Sequence, residues 1–447
     1  MTVRIIVGDC REALRGLESG SVQTVCTSPP YWGLRDYSSE PQVWGGAEDC
    51  EHEWGLHQTG RVSGGGDRPP DGKWPNSPSC DSQEVRSFCL KCGAWRGSLG
   101  LEPTPELFVQ HLVEIFREAH RVLRDDGTLW LNLGSSYAGS GGASGKKVGH
   151  SPNLGVATWE RYTQGVPASG QFKPKDLVPI PWMVAMALQA DGWYLRSDII
   201  WEKPNCMPAS VRDRPTTSHE YILLLTKSKQ YFYDQDAIRE PQQQSSLDRY
   251  KYRLGNSAKA KLADREHVNY VNPNTEAATR ERALAGKGRN KRTVWTIPTK
   301  PFSGAHFATF PPDLVVPCIK AGTSERGACP ECGKAWTRVI AKTGHVNQRE
   351  PAHVPNNEPT KTDSTGWAPT TAPTDRFRPA CKCSAGDPIP QLILDPFGGS
   401  GTTGLVADKL GRDAVLIELN PDYAELSRQR ILDRQGPMFT TVTMEQL

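Results

Sequence analysis

Residues 392–404 read LILDPFGGSGTTG. An apolar run stops at Asp395, glycines follow at 398, 399 and 401, and helix-compatible residues resume at Thr402. This pattern demands a buried strand that enters a helix through a tight turn. Small residues in the turn let a ligand approach the main chain, and the first N–H groups of the helix lack helical partners and point toward it. DAVLIEL, 413–419, is the next strand, and Glu418 stands at its end, 23 residues after Asp395. A carboxylate there can accept hydrogen bonds from both ribose hydroxyls of a nucleoside. A Gly turn alone serves equally well for helix–strand packing. Strand, Gly turn, helix, strand and terminal acid together point to a nucleoside cofactor. The turn is neither the dinucleotide GxGxxG pattern nor a P-loop, since it has no Lys.

The rest of the chain alternates in the same way. Strands are expected at 3–8, 21–26, 128–134, 194–203, 220–228, 391–395 and 413–419, and helices at 10–17, 105–123, 181–190, 402–411 and 421–433. The helix at 105–123 has the clearest period: Leu107, Val109, Leu112, Ile115, Phe116, Ala119, Val122 and Leu123 recur at helical spacing, with Thr104 as N-cap and Pro105 in the first turn. The expected class is therefore α/β with a mostly parallel sheet. The 42 Gly and 36 Pro of the 447 residues gather in long polar stretches, 33–100, 135–176 and 324–390, the first and last read as insertions and the middle one as a loop. No apolar run reaches the roughly 18 residues of a membrane span. The apolar core of MTVRIIVGDC is too short for a secretory signal, so a cytoplasmic location is expected.

TSPPYW, 27–32, closes the second strand. Two prolines exclude helix and central strand, so the strand must end in a rigid tip carrying a hydroxyl before it and two aromatics after it. Trp32 suits either a pocket wall or the core. Net charge is only +3, but Arg239 to Arg292 holds 13 Lys/Arg against 6 Asp/Glu. That excess suits either a solvated linker or a phosphate-neutralising surface.

Twelve cysteines are present, several closely paired. In a reducing compartment such pairs indicate metal. CPEC (329–332) and CKC (381–383) supply Cys329, Cys332, Cys381 and Cys383 for a tetrahedral structural zinc. CEHEW (50–54) and CLKCGAW (89–95) supply Cys50, His52, Cys89 and Cys92 for a second such site, with Cys80 and His57 as competing ligands. About two structural Zn²⁺ are thus expected. Cys10, Cys26, Cys206 and Cys318 lie in apolar settings and read as core thiols.

The DPFGGSGTT stretch resembles the S-adenosylmethionine motif of amino-methylating DNA methyltransferases, and SPPY resembles their catalytic (D/N/S)PP(Y/F/W) motif. The catalytic motif comes first here and the cofactor motif last, with a basic segment between. That order resembles the beta group of the family, and the resemblance covers most of the chain outside the two Cys-bearing insertions. It implies a circularly permuted Rossmann-like sheet, mostly parallel with one antiparallel strand, and two small zinc-ribbon-like insertions. The implied organisation is 1–32 catalytic, 33–100 insertion, 101–235 catalytic core, 236–293 target recognition, 294–323 near the cofactor, 324–390 insertion and 391–447 cofactor binding.

The resemblance assigns the methyl-acceptor site to Ser28, Pro29, Pro30 and Tyr31. The Ser28 hydroxyl and Pro29 carbonyl would accept the N–H groups of an exocyclic amine, and Tyr31 would stack on a flipped base. It assigns the cofactor to Asp9 (alternatively a plain helix N-cap), Thr27, His306, Thr309, Phe310, Asp395, Pro396, Phe397, Gly398, Gly399, Ser400, Gly401, Thr402, Glu418 and Leu419. Ser at the first motif position is similar to N4-cytosine enzymes, and N6-adenine is the alternative. An RNA or protein methyltransferase, or a non-catalytic zinc DNA-binding protein, ranks behind both. The implied partner is double-stranded DNA inside a bacterial or phage-infected cell, with a separate cognate restriction endonuclease allowed and no membrane. The chain would act as monomer or homodimer.

Overall fold

The computed structural model describes residues 1–34, 40–55, 88–138, 172–243, 245, 288–300, 309–342, 371–384, 386–433 and 440–447. In chain order the strands are β1 (Thr2–Val7), β2 (Val22–Thr27), β3 (Gln42–Trp44), β4 (Trp54–Gly55), β5 (Phe88–Cys89), β6 (Trp95–Gly97), β7 (Leu123–Leu133), β8 (Ser136–Tyr137), β9 (Leu177–Val178), β10 (Tyr194–Glu202), β11 (His219–Thr226), β12 (Val294–Thr296), β13 (Thr337–Lys342), β14 (Thr371–Arg378), β15 (Leu392–Asp395), β16 (Asp413–Glu418) and β17 (Thr441–Gln446). The helices are α1 (Cys10–Arg15), α2 (Pro105–Val122), α3 (Ile180–Ala190), α4 (Pro312–Gly322), α5 (Thr402–Lys409) and α6 (Pro421–Asp433). The chain divides into two units: Met1–Ser28, Glu118–Asn132 and Gly192–Leu447 form the first, Pro29–Arg117 and Leu133–Asp191 the second. Among the described residues no helix is long and apolar enough to cross a membrane.

The first unit is built on a nine-stranded sheet in the order β12-β10-β11-β7-β2-β15-β16-β1-β17. β2 runs parallel to β7 and β15, β15 to β16, and β16 to β1, while β10 and β11 are antiparallel. All six residues of β2 are buried, as expected where both faces of a parallel sheet are covered. The order sets β2, from the start of the chain, beside β15, from near its end. This is the permuted, mostly parallel arrangement expected above.

Neither α4 nor β17 was among the elements expected from the sequence. α4 contains Pro317, which ordinarily breaks a helix. It persists because Leu314, Val315, Cys318 and Ile319 are buried. Its last residue, Gly322, has a carbonyl that accepts a hydrogen bond from Thr24 Oγ1 at 2.8 Å. A Cβ on Gly322 would lie 2.4 Å from that same oxygen, so only glycine allows the approach. β17 is largely exposed and polar, yet pairs in parallel with β1 from Thr2 to Val7.

The second unit holds the small antiparallel sheet β3-β6-β5-β4, the β8–β9 pair and α3. α2, whose first part belongs to this unit, starts where Thr104 Oγ1 accepts the Leu107 N–H at 3.2 Å. Phe108, rather than the half-buried Leu107, joins Leu112, Ile115, Phe116, Ala119 and Val122 in its buried stripe. The small sheet lies in the expected 33–100 insertion, and β13–β14, in the first unit, lies in the 324–390 insertion. Most of the expected loop at 135–176 and of the recognition segment lies outside the described residues. At the base of that segment Glu240 bridges to Arg289.

Candidate active site

The Gly turn sits at the carboxyl end of β15. The Asp395 side chain accepts hydrogen bonds from Thr27 Oγ1 at 2.5 Å, Thr403 Oγ1 at 2.7 Å and the Phe397 N–H at 3.1 Å. Asp395 is 1% exposed, and burial pushes its carboxyl up to about 7, the three hydrogen bonds restraining the rise. It was expected among the cofactor contacts; its geometry is that of a strut behind the turn, joining β15 to β2 and α5. Ser400 and Thr402 are likewise turned inward, their hydroxyls each 2.8 Å from Arg430 Nη1. Arg430 comes from α6, and nothing in its local sequence marks it for this task.

The open side of the turn is backbone. Gly399 (φ 51°) and Gly401 (φ 75°) occupy the left-handed region, and a Cβ on Gly401 would meet Ser427 Oγ at 2.1 Å. Gly399 N–H donates to Glu418 Oε2 at 2.7 Å, and Asn420 N–H to Oε1 at 2.9 Å. These bonds fix a half-buried carboxylate at the end of β16 while leaving lone pairs on both oxygens. Burial raises the Glu418 carboxyl above its ordinary value, against those backbone donors. A fixed acceptor beside a turn without side-chain bulk fits the ribose end of a nucleoside. Pro396 is buried; Phe397 and Leu419 are half-buried.

Asp9 lies two residues beyond Val7, which is in register with Glu418 on the neighbouring strand. Its carboxylate caps α1 through the Arg11 N–H at 2.8 Å and pairs with the Arg11 guanidinium at 2.6 Å. The N-cap alternative is thus realised in the structure. Thr309 and Phe310 are half-buried just before α4, with Phe310 packed on the core; His306 lies outside the described residues.

Ser28 follows Thr27 directly and is half-buried; the boundary between the units falls immediately after it. In the second unit Pro29 is buried, and Pro30 and Tyr31 are half-buried. Trp32, 1% exposed, takes the core role: its Nε1 donates to the Glu102 carbonyl at 2.9 Å, and its own carbonyl accepts from Ser136 Oγ at 2.7 Å.

Both expected cysteine sets assemble. The ligand atoms of Cys50, His52, Cys89 and Cys92 all lie within 4.8 Å of one another, as do those of Cys329, Cys332, Cys381 and Cys383. In the first set His52 Nδ1 is 3.4 Å from Cys92 Sγ. In the second, backbone N–H groups of the Cys332 knuckle lower the Cys329 thiol to about 7, favouring the thiolate that binds metal. Four cysteine or histidine donors in each set, among the described residues, fit a tetrahedral structural zinc site. Cys80 and His57 lie outside the described residues. Of the four expected core thiols, Cys26 and Cys318 are buried, whereas Cys10 and Cys206 are only half-buried because each lies just past a strand end.

A mostly parallel sheet thus carries a Gly turn and a terminal acid at its carboxyl edge, beside the strand that leads into SPPY. The chain belongs to the N6/N4 DNA methylase family, which matches it over residues 22–330 and 330–429. It is 34% identical over 432 residues to the type II methyltransferase M.SmaI of Serratia marcescens, covering 97% of this chain and 91% of that protein. It is 35% identical over 424 residues to M.XycI of Xanthomonas campestris pv. cyanopsidis, covering 95% and 86%. Among solved structures, PvuII DNA methyltransferase (cytosine-N4-specific) is similar with 14% identity and a TM-score of 0.46, over 98% of this chain and 89% of that one.

Proposed function

We propose that the protein transfers the methyl group of S-adenosylmethionine to the exocyclic N4 amino group of cytosine in double-stranded DNA. The observation that carries this reading is the 2.5 Å hydrogen bond from Thr27 to Asp395. It ties the residue preceding Ser28 to the first residue of the cofactor turn. The acceptor motif and the cofactor turn thus leave adjacent strand ends.

When bound, S-adenosylmethionine supplies an electrophilic sulfonium methyl. Glu418 accepts hydrogen bonds from the ribose hydroxyls, and Gly398 and Gly401 let the turn that holds it close on β16 and Ser427. An exocyclic amine is a poor nucleophile because its lone pair is delocalised into the ring. The Ser28 hydroxyl and Pro29 carbonyl accept its two N–H groups and so aim the lone pair, while the Pro-Pro pair fixes the carbonyl's direction. Tyr31 stacks on the base after it leaves the duplex. Asp9, Thr309 and Phe310 complete the cofactor's surroundings.

Ser28 supports cytosine over adenine N6, since a hydroxyl orients the amine without acting as its base. Nucleoside mass spectrometry of DNA treated with the protein tests this: N4-methylcytosine is expected, and N6-methyladenine would transfer the assignment to the second reading. Each cysteine set holds one structural Zn²⁺, so metal analysis of freshly purified protein should give about two ions per chain. The type II methyltransferases among its relatives support a restriction–modification role beside a separate endonuclease.

A further inference from the structure

The two cysteine sets differ in what they are joined to, and in the second unit the connections lead to the SPPYW tip. Trp44 and Trp95 face each other across the β3–β6 pair. Both stack on His111 from α2, with ring centroids 4.6 Å and 5.4 Å away at 21° and 24°. His111 is 3% exposed, and its Nδ1 lies 2.9 Å from Glu102 Oε1. Glu102 Oε2 accepts the Gly100 N–H at 2.8 Å, and the Glu102 carbonyl accepts Trp32 Nε1 at 2.9 Å. The Gly100 carbonyl accepts the Gly33 N–H at 2.8 Å. Gly100 has φ 92°, and a Cβ there would lie 3.1 Å from the Tyr31 carbonyl. Residues 100–102 are thus laid along residues 31–33, directly after Pro29 and Pro30.

The sheet at the other end of this relay cannot order itself. Its strands have two or three residues each, too few to be stable by pairing and apolar burial. The cysteine set, its four ligand atoms within 4.8 Å of one another, joins these strands. Cys89 lies on β5, and its N–H donates to the Ala94 carbonyl just before Trp95 at 2.8 Å. Gly46, just past Trp44, packs so closely that a Cβ on it would meet Cys92 Sγ at 2.7 Å.

We infer that a metal ion held by Cys50, His52, Cys89 and Cys92 positions the methyl-acceptor tip of the active site, acting through Trp44 and Trp95, His111 and Glu102. His111 and Glu102 are positioning residues that touch neither base nor cofactor. The inference rests on the proposed methyl transfer for its kinetic consequence, but its structural consequence can be measured without it.

The test uses the full-length, zinc-loaded chain and two perturbations: Cys89→Ser/Cys92→Ser, which removes this metal, and His111→Leu, which cuts the relay and leaves the metal. His111→Gln, which can still donate to Glu102, is the rescue. Cys89→Ser/Cys92→Ser should retain about one zinc per chain, from the other set. Both perturbations should lower kcat roughly tenfold to a hundredfold while changing the dissociation constant of S-adenosylmethionine less than about twofold. Amide hydrogen exchange should accelerate in residues 31–34 and 98–102 and stay unchanged in 395–405. His111→Gln should recover part of kcat and of the protection.

Unaltered exchange in 31–34 on loss of this metal would overturn the inference. So would loss of cofactor binding in parallel with kcat, which would mean general unfolding. A wild-type chain that methylates no DNA would sink the functional reading instead, and the exchange measurement would still decide the coupling.

Discussion

The two cysteine knuckles are nearly the same object built into different places. CLKCGAW and CPECGKAW both turn on a left-handed glycine, Gly93 at φ 75° and Gly333 at φ 67°. In each, that glycine's N–H donates to the carbonyl of the first cysteine, at 3.0 Å and 2.8 Å. Beyond the knuckle they part. The first presents Trp95 to His111, whose partner Glu102 bonds Trp32 of the SPPYW tip. The second passes its Trp336 carbonyl to Ser324 Oγ at 2.7 Å; Ser324 N–H donates to Gln391 Oε1 at 2.6 Å, and Gln391 Nε2 to Gln23 Oε1 at 2.7 Å. Gln391 precedes β15 and Gln23 lies at the start of β2, so the second knuckle is anchored at the amino ends of strands whose carboxyl ends lead to the site. A metal knuckle is a portable local structure, and the neighbours of its aromatic residue decide what it supports.

Four measurements bear on that contrast. The largest effect is expected at the tip itself: Ser28→Ala or Tyr31→Ala should lower turnover about a hundredfold or more with cofactor affinity nearly unchanged, because each acts on the orientation of the amine alone. Loss of cofactor binding in either variant would show that the tip and the turn are not separable. Glu418→Gln should do the converse, weakening cofactor binding roughly tenfold, the scale of one hydrogen bond to a charged group, as read by equilibrium titration.

Cys329→Ser/Cys383→Ser should empty the second knuckle, lower the melting temperature by several degrees, roughly 1–2 kcal/mol, and leave kcat within about twofold. A large fall in kcat there would erase the distinction between the knuckles. The fourth measurement concerns Asp395. Its folded-state value of about 7 lies above the ordinary 3.8, so the folded protein binds this proton more tightly than the unfolded chain. The stabilisation is complete below about pH 4 and is lost as pH rises toward about 7. Asp395→Asn should flatten that part of the melting-temperature profile, and an unchanged slope would remove Asp395 as its source.

Much of this was legible in the chain. Apolar runs bounded by Gly and Pro gave the central strands, and the Cys spacing gave both four-residue clusters, including His52. The hydroxyl-Pro-Pro-aromatic tip and the Gly turn were visible for the same reason: their residue types restrict the backbone directly. α4 was not legible, because Pro317 argues locally against a helix that burial of its neighbours maintains. Nor was β17, whose polar residues gain their strand from pairing with β1. The roles of Asp395 and Arg430 were hidden too, since a carboxylate's or guanidinium's task depends on which partners surround it.

By itself, then, the sequence determined the strand, the turn, the tip and the two knuckles, because backbone restriction and ligand spacing act over a few residues. Only the tertiary structure decided that β2 lies against β15, so that Thr27 meets Asp395 across 368 residues of chain. It also decided which knuckle connects to the SPPYW tip. Both depend on ladder pairing and side-chain packing between distant segments, whose free energy exists only once the sheet has formed.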